Sequence, residues 1–182
     1  MRKLKTGELG RLKVEDFKTI KKHNAVVVLD NVRSAMNTGS FFRTADALAL
    51  EKIHLCGITA TPPHREINKT AIGATASVDW QYHSSTYQCL KELKDKGYII
   101  VGVEQTDASL FLHEFHPLPG EKYAFVFGNE VKGLQDDILE LLDLALEIPQ
   151  FGTKHSFNVA VSGGIVLWHY ILEAYLKKEK LK

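Results

Sequence analysis

Cysteine is scarce in this chain, and Cys56 and Cys89 are the only two. Two cysteines cannot build the disulfide framework of a small secreted domain, and this pair lacks the spacing of a metal-binding motif. Cys56 lies in a strand-like run, which favours a buried thiol. His113 and His116 stand three apart, but no carboxylate or cysteine completes a ligand set at the usual spacing, so we interpret them as surface or structural histidines. The sequence therefore predicts no metal site.

Long apolar runs are also lacking. No uninterrupted stretch approaches the roughly 18 residues that a membrane-spanning helix needs. The N-terminal residues Met1-Arg2-Lys3 are not followed by the pattern of a signal peptide. We therefore expect a cytoplasmic protein that is not exported and has no membrane partner.

The familiar nucleotide-binding loops are incomplete. Gly128 and Gly133 have the spacing of a P-loop, but Leu134-Gln135 follows where that loop needs Lys and Ser or Thr. The third glycine of the dinucleotide fingerprint is missing, and no Gly-x-Ser-x-Gly nucleophile elbow occurs. These absences argue against an ATPase, a nicotinamide-dependent enzyme and an α/β-hydrolase. Glu130, in the middle of the loop, would repel a polyphosphate and favours a ligand with positive character.

The net charge is only +1, but the two ends of the chain differ from its middle. Residues 1–23 hold eight Lys or Arg against three Asp or Glu, a net charge of +5, and residues 177–182 carry +3. The middle is consequently acidic, at −7. Basic ends favour a phosphate-rich partner such as RNA, because Lys and Arg contacts release condensed counterions. The alternative is that both ends are solvated tails.

Short apolar strands alternate with helical stretches along the chain. The predicted strands are 25–30, 52–56, 78–82, 98–103, 123–127 and 144–148, and the predicted helices lie within 12–22 and at 38–50, 86–96, about 136–142, and from 159 onward. This alternation predicts an α/β fold, a mostly parallel sheet flanked by helices with ligands at its carboxyl edge. The length suits one domain, which we place at 25–176, between a basic arm at 1–24 and a basic tail at 177–182.

Three polar, glycine-bearing segments stand at strand ends. They are Asn37-Thr38-Gly39-Ser40-Phe41-Phe42-Arg43-Thr44-Ala45-Asp46, Phe127-Gly128-Asn129-Glu130-Val131-Lys132-Gly133-Leu134 and Ile148-Pro149-Gln150-Phe151-Gly152-Thr153-Lys154-His155-Ser156-Phe157-Asn158. In order, spacing and content they resemble the three motifs of the SpoU (TrmH-like) branch of the SPOUT RNA methyltransferases, over about residues 24–175. The departures are mild: Ala49 stands where glycine is common, Gln150 where methionine is frequent and Phe157 where leucine is usual.

The resemblance implies a fold, a cofactor and a reaction. Proteins of this family have a parallel sheet with a C-terminal trefoil knot, bind S-adenosylmethionine in the knot and work as homodimers. They methylate a ribose 2′-hydroxyl of RNA. By position, the resemblance places Glu104, Gly128, Ile148 and Phe157 around the cofactor.

The resemblance also implies a catalytic set, which comprises Asn37, Arg43, Glu130, Ser156 and Asn158. Arg43 stands where similar proteins place the group that activates the hydroxyl. A guanidinium stays protonated, so we expect Arg43 mainly to stabilise the developing alkoxide and an adjacent phosphate. Glu130 and Asn37 are expected to hold Arg43, while Ser156 and Asn158 order the third loop and the acceptor ribose. A plain salt bridge of Arg43 to Asp46 or Glu130 is the alternative, as is simple helix capping by Ser156 and Asn158.

The substrate that we expect is RNA, with tRNA favoured over rRNA. Ribosomal members often carry an N-terminal RNA-binding domain, and 24 residues cannot form one, which favours tRNA, with a D-loop guanosine slightly ahead of a nucleotide of the anticodon loop. The alternatives are an rRNA 2′-O-methyltransferase and a catalytically inactive RNA-binding member of the fold. A small-molecule methyltransferase would leave the basic ends unexplained.

Overall fold

The computed structural model describes residues 1–177, and within them one sheet of seven strands organises the chain. The strands are β1 (His23–Asp30), β2 (Leu50–Cys56), β3 (Trp80–His83), β4 (Tyr98–Val103), β5 (Leu110–Phe111), β6 (Lys122–Phe127) and β7 (Leu144–Glu147). Their order across the sheet is β3-β2-β1-β6-β4-β7-β5, and every pairing between these strands is parallel. The parallel α/β fold predicted from the sequence is confirmed.

Helices cover both faces of the sheet. They are α1 (Val14–Thr19), α2 (Ala35–Ala47), α3 (Arg65–Ala71), α4 (Thr86–Asp95), α5 (Asp136–Leu139) and α6 (Val159–Ile171), which continues as a π-helical turn over Leu172–Leu176. Buried side chains of α2, α3 and α6 share one core with alternate residues of the strands, and those of α4 and α5 share a second core with the other set. The two cores are separate because successive side chains along a strand point to opposite faces of the sheet.

Local signals set the ends of the two helices nearest the predicted motifs. Ser34 caps α2 by accepting a hydrogen bond from the backbone N–H of Asn37 at 3.2 Å, so this helix begins three residues before the predicted start. The helix ends at Ala47, because Ala49 adopts a left-handed conformation (φ 47°) that turns the chain into β2. Asn158 caps α6, which starts at Val159 as predicted.

Some elements differ from the sequence-based expectation. The segment 66–76 was predicted to be irregular. Instead, residues Arg65–Ala71 form the helix α3, which His64 caps. The two-residue strand β5 was not predicted, and α5 is a single turn that ends at Leu139. Cys56 and Cys89 are both buried and free, as expected for Cys56. The predicted basic tail, apart from Lys177, lies outside the described residues.

Helix α6 is the most apolar element of the chain. By length and composition alone, Val159–Leu176 would suffice to cross a membrane, although the sequence contains no long uninterrupted apolar run. Val166 and Leu167 are fully buried in the core against the sheet, which is the environment of a core helix in a globular domain. On its outer side Val161 and Trp168 are about half exposed, so one apolar stripe faces away from the rest of the chain.

Close packing of α6 on α2 explains one of its two adjacent glycines. A methyl group on Gly163 would stand 2.7 Å from Cζ of Phe41, whereas one on Gly164 would meet nothing within 4 Å. We expect Gly163→Ala to lower the free energy of unfolding by about 1–3 kcal/mol, because the overpacked helix must move off the core. Gly164→Ala is the matched control and should leave stability unchanged or raise it by up to about 1 kcal/mol. Urea unfolding of both variants measures the difference, and equal stabilities would contradict this packing.

Candidate active site

The carboxyl ends of β1, β4, β6 and β7 meet at one edge of the sheet, where the three predicted motifs come together. A cavity of about 650 Å³, here called the edge cavity, opens between the second and the third of these motifs. Its lining comes from the segments 103–106, 127–134 and 156–159, together with Asp136, Leu139 and Ser162. A smaller side pocket of about 130 Å³ adjoins it beside Ile148, Gln150 and His155. The volume of the edge cavity falls in the range of small-molecule and cofactor sites.

The four residues predicted to surround a cofactor all line these two spaces. Glu104 and Phe157 line both, Gly128 lines the edge cavity, and Ile148 lines the side pocket. The structure therefore brings together residues from three different loops of the chain. Their role in holding a cofactor stays a prediction.

The loop after β6 is closed by its own backbone. Asn129 and Gly133 exchange two N–H···O=C hydrogen bonds of 2.9 Å each, and Gly133 adopts the left-handed conformation (φ 69°) that this tight turn requires. The Asn129 side chain accepts hydrogen bonds from the N–H groups of Val131 and Lys132. Because these contacts fix the loop, its main chain forms a rigid wall of the edge cavity.

Glu104 and Gln105 tie the neighbouring loops to that wall. The Glu104 carboxylate accepts hydrogen bonds from Leu134 N at 3.0 Å and from Gln105 N at 2.8 Å. The Gln105 side chain donates to the carbonyl of His155 at 3.1 Å. These bonds connect the loops that follow β4, β6 and β7. The bridging position of Gln105 was not predicted from the sequence.

A chain of side-chain hydrogen bonds, here called the polar relay, joins one residue from each motif. Asn37 donates through Nδ2 to Oε1 of Glu130 at 2.9 Å, and Asn158 donates through Nδ2 to Oδ1 of Asn37 at 3.2 Å. Oδ1 of Asn158 accepts from the N–H groups of Ala160 and Val161, so capping of α6 and membership of the relay coexist. Three of the five predicted catalytic side chains are therefore in direct contact, although they are far apart in sequence.

Glu130 is held at the start of α2. Its carboxylate accepts hydrogen bonds from Arg33 N at 2.9 Å and Ser34 N at 3.0 Å in addition to the one from Asn37. Burial alone would raise the pKa of Glu130, but these hydrogen bonds to the charged form together hold the pKa below its ordinary value. The free N–H groups that precede a helix favour an anion at this position.

The depressed pKa makes a prediction about stability and pH. Because the folded pKa lies below the unfolded one, the contribution of Glu130 is present above the unfolded pKa and is lost as the pH falls through the folded pKa. Because Glu130 is exposed and solvent screens its charge, we expect Glu130→Gln to lower the free energy of unfolding near pH 7 by only about 0.5 kcal/mol, with a difference from wild type that shrinks below about pH 4. Urea unfolding at several pH values measures it. Glu140→Gln, at an exposed carboxylate, is the control, and an undiminished Glu130→Gln difference at low pH would contradict the assignment.

A buried carboxylate that the sequence did not single out supports the site from below. Asp30, at the end of β1, is fully buried and accepts hydrogen bonds from the hydroxyl of Thr86 at 2.6 Å and from the backbone and side chain of Gln135 at 3.0 Å. Asn31 donates to it as well. A buried carboxylate needs such partners, and these ones join β1, α4 and the loop after β6. The only sequence signal was an Asp at the end of an apolar strand.

Arg43 lies elsewhere. It is exposed on α2 and lines a separate groove of about 730 Å³, to which the N-terminal arm contributes Arg11 and Phe17. Within residues 1–177 it makes no hydrogen bond to Glu130 or Asn37, so the expected support of Arg43 by these two residues is absent from a single chain. The alternative salt bridge to Asp46 is absent from the same residues, and Asp46 accepts a hydrogen bond from Ser77 at 2.5 Å instead.

The charges around the edge cavity suit a cationic ligand. Three carboxylates line it, those of Glu104, Glu130 and Asp136, against the single ammonium group of Lys132 among the lining residues. Ser156, the fifth predicted catalytic residue, lines both the edge cavity and the side pocket but is otherwise exposed. The arrangement can hold a small organic cation against main-chain polar groups, with hydrogen-bonding side chains at the mouth.

Comparison with known proteins finds similar chains among RNA methyltransferases. A 23S rRNA (guanosine-2′-O-)-methyltransferase, RlmB, of Neisseria meningitidis is 32% identical over 161 residues, which cover 86% of this chain and 61% of that enzyme. A tRNA (guanosine(18)-2′-O)-methyltransferase of Thermus thermophilus is 27% identical over 88% of this chain and 81% of that enzyme. The crystal structure of an AdoMet-bound rRNA methyltransferase from Sinorhizobium meliloti matches with a TM-score of 0.75 and 25% identity, over 84% of this chain and 58% of that one.

The chain thus spans less than two thirds of the length of two of these three proteins. Residues 24–168, which contain all three motifs, the edge cavity and the polar relay, match the SpoU rRNA Methylase family. Since this match covers most of the chain, the protein belongs to the SpoU rRNA Methylase family.

Proposed function

We propose that this protein transfers a methyl group from S-adenosylmethionine to a ribose 2′-hydroxyl of RNA, with tRNA as the substrate. The observation that carries the proposal is the polar relay at the mouth of the edge cavity, which links Asn37, Glu130 and Asn158 from the three motifs. The names of the relatives support the reaction class, and the AdoMet-bound structure from Sinorhizobium meliloti supports the methyl donor.

The residues that line the edge cavity fit this donor. S-adenosylmethionine supplies a methyl group on a positively charged sulfonium, which a nucleophilic oxygen can displace. The carboxylates of Glu104 and Asp136 give the cavity the sign of charge that stabilises such a ligand, and the main chain at Gly128 and the side chains of Ile148 and Phe157 would hold its uncharged parts. No metal is required for this displacement, and we propose none in the site.

The protein's own part in the transfer is alignment and electrostatic stabilisation. Glu130 fixes Asn37, and Asn37 fixes Asn158, so the mouth of the cavity presents oriented amide groups to a ribose. Ser156 lies beside them and completes the polar rim. We assign to Arg43 the stabilisation of the ribose oxygen as its proton leaves, and of an adjacent phosphate. A guanidinium stays protonated at every accessible pH, so it can donate hydrogen bonds to both groups.

The groove at Arg43 supports an RNA partner. Arg11 of the basic N-terminal arm and Arg43 of α2 line the same groove, and α1 is anchored beside it by the buried ring of Phe17. Two arginines in an open groove suit a phosphate backbone, because guanidinium groups bind phosphate oxygens in bidentate fashion. The arm therefore places positive charge beside Arg43, to which we assign the stabilisation of the reacting oxygen.

We further infer a homodimer in which the partner's Arg43 completes the site. Two observations support it: Arg43 does not line the edge cavity of its own chain, and α6 presents an uncovered apolar stripe at Val161 and Trp168. Mixing of two inactive variants, Arg43→Ala and Glu104→Ala, tests the arrangement, since mixed dimers would contain one intact site. Restored activity on mixing is the expected result, and its absence in a mixed dimer verified by mass would refute a shared site.

We also infer the C-terminal trefoil knot expected from the family resemblance. The sheet order supports it, because β7 lies between β4 and β5 and the segment 148–158 then returns across the carboxyl edge towards α2. Residues 104–106 and 128–134 form the loops on either side of that return.

The function is tested by mapping ribose methylation in total RNA from a deletion strain beside its parent. The loss of one 2′-O-methylated guanosine in the D-loop of tRNA is the expected result. Purified protein should also bind S-adenosylmethionine in calorimetry and methylate unmodified tRNA. An unchanged tRNA pattern would refute the assignment to tRNA, and absence of donor binding would favour an inactive RNA-binding member of the fold.

Ribosomal RNA is the second candidate substrate. The relative from Neisseria meningitidis, which acts on 23S rRNA by its name, is more similar in sequence than the tRNA enzyme, at 32% against 27% identity. The same methylation map separates the two, because the missing modification would then lie in 23S rRNA.

A further inference from the structure

Three side chains that bind metals well converge at the far edge of the sheet, away from the edge cavity. They are His54 on β2, His83 at the end of β3 and Cys89 on α4, here called the His-Cys cluster. Their ligand atoms all lie within 4.8 Å of one another, and Nδ1 of His54 is 2.9 Å from Nε2 of His83. None of the three lines the edge cavity or the side pocket. The cluster therefore has no part in the site described above.

The fold explains why these residues meet. In the pairing of β2 with β3, Cys56 stands opposite His83, and His54 lies two residues before Cys56 on the same face of the sheet. Helix α4 covers that face and directs Cys89 into the same space, where Cys89 and Cys56 belong to one buried core. Sequence spacing could not indicate the cluster, because each ligand comes from a different element.

The donor set has a definite chemical preference. Two imidazole nitrogens and one thiolate match the ligands of Zn²⁺, which takes nitrogen and sulfur donors in tetrahedral geometry. In that geometry the donor atoms stand about 3.3 Å apart for nitrogen pairs and about 3.5 Å for nitrogen and sulfur, given the usual bond lengths of roughly 2.0 and 2.3 Å. The two imidazoles need to separate by only a few tenths of an ångström from their present 2.9 Å to reach it.

Burial and access also suit an ion. His54 and Cys89 are almost entirely buried, at 5% and 0% exposure, while His83 is half-buried at the surface. An ion could enter past His83 and exchange its water for the two inner ligands. Without a metal, the two imidazoles share a hydrogen bond and the Cys89 thiol contacts the Cys56 thiol in the adjoining core, so an ion would take the place of both contacts.

We propose that His54, His83 and Cys89 form a binding site for a divalent late transition-metal ion, with Zn²⁺ preferred, that ties β2, the edge strand β3 and α4 together. The ion stabilises the folded chain, because the three ligands are assembled only in the native state. A fourth coordination position is left for water. This site is independent of methyl transfer, since its ligands do not reach the edge cavity.

The experiment uses the full-length protein, reduced and stripped of metal with a chelator. Calorimetric titration with Zn²⁺ should show one ion bound per chain, and the midpoint of thermal unfolding should rise. Titration with Co²⁺ should give visible absorption bands of tetrahedral cobalt and a thiolate-to-cobalt charge-transfer band in the near ultraviolet. The spectrum reports the ligands directly and does not depend on catalytic activity.

Variants identify the ligands. His83→Asn, at the most exposed position of the cluster, should weaken Zn²⁺ binding by at least about tenfold, and Cys89→Ser should abolish the charge-transfer band. His113→Asn, at an exposed histidine elsewhere, is the matched control and should bind like wild type. The proposal is overturned if the reduced wild-type protein binds neither ion saturably, or if His83→Asn binds Zn²⁺ as tightly as His113→Asn does. If Cys89→Ser does not fold, the comparison of the two histidine variants decides.

Discussion

Replacement of Arg43 by alanine is expected to lower kcat for RNA methylation by about 10²–10³-fold, the range found when a group that stabilises a developing oxyanion is removed. The affinity for S-adenosylmethionine should stay at the wild-type value, because the role assigned to Arg43 is stabilisation of the reacting oxygen and of a phosphate, both of which belong to the RNA. Steady-state methylation of tRNA and calorimetric titration of the donor measure the two quantities. The control is Arg65→Ala at another exposed arginine, on α3, which should leave kcat unchanged.

The lysine variant at the same position distinguishes two roles for Arg43. An ammonium group can stabilise a developing charge but loses the planar fork of donors, so Arg43→Lys should retain part of the activity with an unchanged pH–rate profile. If Arg43 instead accepts the proton, the lysine variant should show a new ionisation in the accessible pH range. That result, or full activity of Arg43→Ala, would contradict the electrostatic role.

A second large effect is expected from the smallest possible change at Gly128. A methyl group at this position would stand 2.5 Å from the backbone nitrogen of Leu134, and backbone atoms cannot rotate away as a side chain can. Gly128→Ala should therefore displace the closed loop between Asn129 and Gly133, lower the free energy of unfolding by about 2–3 kcal/mol and abolish measurable binding of S-adenosylmethionine. Thermal unfolding and calorimetry test the two parts.

A glycine in the third motif provides the matched control. A methyl group on Gly152 would meet nothing within 4 Å, and this glycine lines neither the edge cavity nor the side pocket. Gly152→Ala should therefore keep both stability and donor affinity. Wild-type affinity in Gly128→Ala would mean that the donor does not rest on the loop after β6, and would remove the main chain of this loop from the proposed site.

The sequence was sufficient to predict six of the seven strands, because most of them are short apolar runs bounded by polar or glycine residues. The strand at Tyr98–Val103 was predicted to the residue, and those at β1, β6 and β7 to within two residues. The helix ends were harder, since they depend on caps: Ser34 starts α2 earlier than the apolar pattern does. The two residues of β5 carry too little pattern to be recognised and are a strand only because β7 lies beside them.

Eight of the nine predicted site residues lie at the edge cavity, at the side pocket or in the polar relay, and their roles stay predictions. Arg43 is the exception, and a motif cannot reveal its position, because a linear pattern does not specify which way a helical side chain points. Asp30 and the His-Cys cluster were missed for a related reason: their partners come from separate elements and share no spacing.

The sheet order has a consequence for synthesis of the protein. β6 lies between β1 and β4 in the sheet. In a nascent chain that ends before residue 122, the edges of β1 and β4 that later pair with β6 therefore have no hydrogen-bonding partner. The bond between Asn37 and Asn158 requires residues that leave the ribosome much later still. Contacts of such long range slow folding and prolong the exposure of apolar strands. Truncated chains that stop short of β6 should therefore aggregate or recruit chaperones, and methyl-donor binding should appear only after nearly the whole polypeptide has emerged.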